Sequence, residues 1–161
     1  MSTFEDSIEI DAPVERTFEL TANPRHLPHI DPTATVRLLS GEWTEVGSRH
    51  HVTNRVGRAD IDSVHEITRF EPPCVVEERI TARGTTMTAT SEIRPIGHDR
   101  SILIVSGQIE WGGSFLELVS RLLSPLAGPP SRRKALRRIK AVVEATDLAV
   151  DGAEAHFGEE G

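Results

Sequence analysis

The stretch from Thr35 to Trp111 constrains this chain more than any other part of it. Short segments rich in Val, Ile and Thr alternate there with turn signals, the pattern of an antiparallel meander. Strands are expected near Thr35–Trp43, Ser48–Val56, Ala59–Phe70, Val75–Ala82, Thr85–Arg94 and Ser101–Trp111. The breaks fall at Glu45-Val46-Gly47, Gly57-Arg58, Glu71-Pro72-Pro73, Arg83-Gly84 and Pro95 to Asp99. Gly57-Arg58 and Arg83-Gly84 read as hairpin turns. Upstream, Phe4, Ile8 and Ile10 share one face against Glu5, Ser7 and Glu9, which adds a half-buried first strand and brings the expected total to seven.

Helical signals flank the meander. Asp11-Ala12-Pro13 punctuates the first strand, and Val14, Phe18 and Leu20 then follow at helical spacing to about Ala22. Asn23-Pro24 ends that helix, and Arg25 to Ile30 allows one more turn, broken by Pro28 and closed by Asp31-Pro32. After Gly112-Gly113, an apolar stripe of Phe115, Leu118, Val119, Leu122, Leu123 and Leu126 recurs at three- and four-residue steps. Gly128-Pro129-Pro130 interrupts it, and Ser131 is placed to cap a second stretch whose apolar side is Leu136, Ile139 and Val142 or Val143. The cluster Arg132, Arg133, Lys134, Arg137, Arg138 and Lys140 reads as the solvated side of that stretch.

Composition removes several functional classes. At 161 residues the chain suits one domain, expected over 1–147, followed by an acidic, disordered tail over 148–161. A net charge of −7 argues against a protein that grips nucleic acid through phosphate contacts. A lone cysteine, Cys74, excludes an internal disulfide and any all-cysteine metal cage. No apolar run is long enough to span a bilayer, and the start lacks the basic head and apolar block of a signal peptide. A cytoplasmic protein is therefore expected, as a monomer or homodimer.

A single antiparallel sheet needs one face covered, and the C-terminal stripe is the only element long enough to cover it. The fold class is thus α+β, with the sheet curled around the terminal helix. In this setting Ser7-Ile8-Glu9-Ile10-Asp11-Ala12-Pro13-Val14, followed by Thr17-Phe18-Glu19-Leu20, resembles the opening strand and first helix of the START-like (SRPBCC, helix-grip) superfamily. The likeness is closest to its polyketide cyclase/dehydrase and coenzyme Q-binding group. Asn23-Pro24 to Pro32, Phe70-Glu71-Pro72-Pro73 and Ala135 to Glu144 extend it over about residues 4 to 147. The resemblance implies a curved seven-stranded antiparallel sheet gripping a long C-terminal helix, one or two short helices after the first strand, and an apolar cavity between sheet and helix. Pro125 and Pro129-Pro130 predict a kink in that helix.

Alternation along the strands nominates the residues facing such a cavity. His50, Val52, Asn54 and Val56 share one phase, as do Ile61, Ser63, His65 and Ile67. Met87, Ala89, Ser91 and Ile93 form a third set, and Leu103, Val105, Ile109 and Trp111 a fourth. The expected ligand contacts are His29, His50, Asn54, Ser63, His65, Glu78, Met87, Ser91, Val105, Trp111, Leu118 and Leu122. His65 is the one candidate for catalysis, because a desolvated imidazole can serve as a base near neutral pH; the alternative is a core histidine bonded to Ser63 or Ser91. One of Glu77 and Glu78 must point inward from a regular strand; if it is Glu78, which shares a face with Val76 and Ile80, it needs a partner such as an arginine. Asp60 and Asp62 read as outward charge. His50-His51 cannot both ligate one ion from a regular strand, and Pro28 separates His26 from His29, so neither a metal nor another cofactor is expected.

These features suggest a carrier or sensor for a hydrophobic small molecule such as a polyketide, isoprenoid or lipid. The alternative from another class is a polyketide cyclase/aromatase-like enzyme in which His65 moves a proton while Asn54 or Ser91 polarises a carbonyl. A third is a protein-interaction or chaperone-type module whose open cavity edge grips an apolar segment.

Overall fold

Alternating apolar residues can bury one face of a sheet only if a second layer lies against it, and both layers are present. The computed structural model describes residues 1–110 and 129–154, the side chains of Val56 and of residues 146–154 excepted. Its strands are β1 (Ser2–Ile10), β2 (Ala34–Ser40), β3 (Arg49–Val56), β4 (Ala59–Glu71), β5 (Val75–Ala82), β6 (Thr85–Gly97) and β7 (Arg100–Glu110). They form one curved antiparallel sheet in the order β1-β7-β6-β5-β4-β3-β2. Consecutive strands are hairpin neighbours from β2 to β7, and β1 closes the sheet beside β7, with Phe4 opposite Gly107 and Ile10 opposite Ser101. The helices are α1 (Val14–Ala22), a single 3-10 turn (Pro24–His26), α2 (Leu27–Ile30) and α3 (Pro129–Glu154).

The core lies where α1 and α3 meet the inner sheet face. Ile10, Ile67, Ile93 and Leu103 of the sheet are fully buried there with Phe18 and Leu20 of α1 and Leu136 and Val143 of α3. Phe18 packs on Phe70 with ring centroids 5.3 Å apart. The polar groups of the β1–α1 corner are satisfied internally: Thr17 and Ser101 hydroxyls lie 2.8 Å apart, and Ser101 Oγ donates to the Ala12 carbonyl at 2.9 Å. Among the described residues no helix is long and apolar enough to cross a membrane.

Several expectations need correction, and proline accounts for two of them. Pro28 does not break the segment after α1; it occupies the first turn of α2, where no intrahelical N–H is required. Pro129-Pro130 likewise begin α3, so Ser131 lies inside that helix rather than capping it. Pro125 and the stripe from Phe115 to Leu126 lie outside the described residues. The third correction concerns the basic cluster. Arg132 turns inward to Asp6, with Nε to Oδ2 at 2.5 Å, and Lys140 donates to the Glu9 carbonyl at 3.0 Å. Acidic and carbonyl oxygens along β1 draw these long side chains over the helix flank, whereas Arg133, Lys134 and Arg137 are exposed as expected. Helix α3 also continues to Glu154, into the stretch whose acidity suggested a tail, while 155–161 lie outside the described residues. At the strand ends, β2 stops at Ser40 instead of Trp43, where a register shift after Leu38 and the positive φ of Gly41 (77°) interrupt pairing.

Candidate functional site

Between the inner sheet face and α3 lies a cavity of about 350 Å³. Ile61 of β4, Ile80 of β5, Met87 of β6, Val105 and Ile109 of β7, and Leu136 and Ile139 of α3 form its apolar walls. Besides Thr85 at the start of β6, polar side chains enter the described lining at two places. Asn54, Ser63 and His65 do so on the β3–β4 side, and Asp6 with Arg132 on the β1–α3 side. An apolar hollow with a few convergent polar groups is the usual form of a small-molecule site.

The polar wall at β4 leads into a buried cluster that strand register assembles. His50 of β3 pairs directly with His65 of β4, and Glu78 of β5 pairs with Ile67, two residues along from His65 on the same face. The three side chains therefore converge on one side of the sheet. The imidazole centroids are 4.9 Å apart. Glu78 Oε1 lies 3.5 Å from His50 Nε2 and Oε2 lies 3.4 Å from His65 Nδ1. The other nitrogen of His65, Nε2, is 3.0 Å from Ser63 Oγ on the cavity wall. His65 thus connects the lining to a carboxylate behind it.

Electrostatics separates the two histidines. His50 is 2% exposed, and burial pushes its pKa down to about 4; repulsion from His65 acts the same way, and the attraction of Glu78 offsets only part of it. Burial opposes ionisation of Glu78, but the hydrogen bond from His65 and the charges of His65 and His50 outweigh it and hold the carboxyl below its ordinary value. The expected arginine partner of Glu78 is replaced by this pair of imidazoles. An inward carboxylate needs a neighbour, but only the register decides which strand supplies it.

Of the residues expected to meet a ligand, Asn54, Ser63, His65, Met87 and Val105 lie on the cavity wall. His50 and Glu78 sit behind it, and Ser91 is half-buried on β6 outside the described lining. His29 is exposed on α2, its ring 6.1 Å from that of His26, and does not reach the described lining. Trp111, Leu118 and Leu122 lie outside the described residues. Asn54 Nδ2 donates to Asp31 Oδ2 at 3.1 Å. Asp60 and Asp62 face outward, toward Arg55 and Thr53, and His51 joins Asp62 at 3.2 Å on that outer face. Sequence reasoning missed Asp6 and Arg132. The signal was available for Asp6, which shares the phase of Phe4 and Ile8, whereas Arg132 carried none beyond a charge run.

Comparison with known proteins agrees with this architecture. The sequence matches, over residues 1–144, the family described as polyketide cyclase / dehydrase and lipid transport. No functionally curated protein matches it in sequence. Solved structures that share the fold include a conserved protein from Geobacillus kaustophilus (17% identity, TM-score 0.71, covering 90% of this chain and 97% of that one). The Zhui aromatase/cyclase from Streptomyces sp. R1128 superposes with TM-score 0.66 at 14% identity over 89% of this chain and 93% of its own. The ginseng major latex-like protein 151 from Panax ginseng does so with TM-score 0.68 at 16% identity, over 90% and 96%. With the family matched across most of its length and the helix-grip architecture in place, the chain belongs to the polyketide cyclase/dehydrase and lipid transport family.

Proposed function

We propose that this protein binds a hydrophobic small molecule in the cavity between its sheet and α3. The observation that carries the reading is the cavity itself: about 350 Å³ of apolar-walled space, large enough for a compact guest of a few fused rings or a folded prenyl chain. Burial of apolar area would drive binding, and Asn54, Ser63 and His65 would orient a carbonyl or hydroxyl on the guest. A fluorescent naphthalene-sulfonate probe tests this directly. The wild-type protein is expected to bind it with about one equivalent, and Ala89→Trp, which places an indole in the hollow, to abolish binding while cooperative urea unfolding is retained. Equal binding by wild type and Ala89→Trp would overturn the reading; Val105→Phe serves the same purpose if the first variant fails to fold.

A second reading has its own observation. His65 holds a hydroxyl at one ring nitrogen and faces a carboxylate at the other. That arrangement suits an acid/base residue in cyclisation or dehydration of a poly-β-keto chain, with Glu78 stabilising the imidazolium. Turnover of such a substrate should fall by about 10² or more in His65→Ala, with circular dichroism showing the fold intact. Undiminished turnover in that variant would remove His65 from any mechanism.

A further inference from the structure

We propose that His50, His65 and Glu78 form a binding site for one divalent transition-metal ion of the zinc type. The site goes beyond ligand binding in the cavity, which requires no metal, and it uses the cluster behind the cavity wall.

Geometry is the first argument. One donor atom from each of the three side chains lies within 4.8 Å of the other two. The carboxylate presents a different oxygen to each imidazole, at 3.5 Å and 3.4 Å. Charge-assisted N–H···O bonds close to about 2.8 Å, so both contacts are long for hydrogen bonds. Two ligands on a tetrahedral ion at about 2.1 Å from the metal stand roughly 3.4 Å apart. The carboxylate–imidazole separations therefore match the edges of a coordination polyhedron, and a contraction on the order of 1 Å at the widest pair brings the set onto one ion.

Ring orientation is the second. Ser63 Oγ has the Val52 carbonyl as an acceptor at 3.5 Å and stands 3.0 Å from His65 Nε2. Ser63 Oγ thus occupies the Nε2 edge of the ring, and Nδ1 is the nitrogen turned toward Glu78. Metal-bound histidines characteristically have their second ring nitrogen held this way by a neighbouring oxygen. Two imidazoles and one carboxylate suit zinc and the other late first-row divalent ions rather than magnesium or calcium, which prefer all-oxygen sites. The three-residue set also leaves a further coordination position beside the cavity wall that His65 lines. A metal-bound His65 is no longer a free base, so loaded protein and the acid/base reading of His65 exclude each other.

The test uses the full-length protein, stripped with a chelator and titrated at neutral pH with Co2+ and Zn2+. Wild type is expected to take up about one equivalent of Co2+ with visible d–d absorption, displaced by Zn2+. His50→Gln and Glu78→Gln should each weaken uptake by at least about 10-fold, with His51→Gln on the outer face unchanged. Circular dichroism confirms that each variant is folded, and His65→Asn replaces either one that is not. Absence of uptake by folded wild type at about 100 μM metal, or equal uptake in the ligand variants, would overturn the site. Probe binding measured on the stripped protein reports the cavity separately, so failure of the metal site leaves that reading intact.

Discussion

A missing methyl group at Gly107 sets the position of an aromatic ring. Phe4 lies directly opposite Gly107 across the β1–β7 pair, and its ring occupies the space that a Cβ on Gly107 would need. The same ring carries the Arg132 guanidinium 4.8 Å from its centroid, and Arg132 in turn meets Asp6, the two charged side chains being 21% and 16% exposed. Gly107→Ala is therefore expected to displace Phe4, loosen the Arg132 stack and cost about 1–3 kcal/mol, read as a lower urea midpoint at unchanged slope. An unchanged midpoint would mean the ring moves without penalty. Individual residues were partly legible beforehand. The i, i+2 spacing of Ser63 and His65 places them on one face, and Val76 and Ile80 turn Glu78 inward with them. What spacing within one strand cannot show is the neighbour across the ladder, so a pair of histidines was not foreseen as the partner of Glu78.

At the scale of elements, helix α3 is held to the β1–α1 corner by a small polar clasp. Glu144 Oε1 accepts the Asp11 backbone N–H at 3.0 Å and the Lys140 ammonium at 2.5 Å. The Lys140 bond, with the Asp11 N–H second, holds the Glu144 carboxyl below its ordinary value of 4.5. A depressed carboxyl stabilises the fold above pH 4.5, and that contribution is lost as pH falls through the folded-state value. Glu144→Ala should lower stability by about 1 kcal/mol at pH 7, and the gap to wild type should narrow as pH drops below about 4.5. A gap independent of pH would assign the effect to helix propensity instead. Elements were mostly visible in the sequence because period-two alternation and turn residues are local. The Arg83-Gly84 turn illustrates this, with both residues at positive φ (46° and 82°), the geometry that a two-residue hairpin of matching twist demands. Proline was read less well at Pro28 and at Pro129-Pro130, because the same residue ends one helix and opens another, and the flanking text does not say which.

For the whole molecule, the alternation of apolar residues and the count of turn signals were sufficient for an antiparallel sheet with one covered face. The amphipathic terminal segment was sufficient for what covers it. These are properties of neighbours along the chain, governed by backbone geometry and by the transfer of apolar surface out of water. Tertiary structure alone decided that the curve of the sheet leaves an open volume against α3, that β3, β4 and β5 bring His50, His65 and Glu78 together, and that Arg132 reaches Asp6 across 126 positions of sequence. Register, twist and helix placement are cooperative outcomes of the whole packed core, and no single segment carries them.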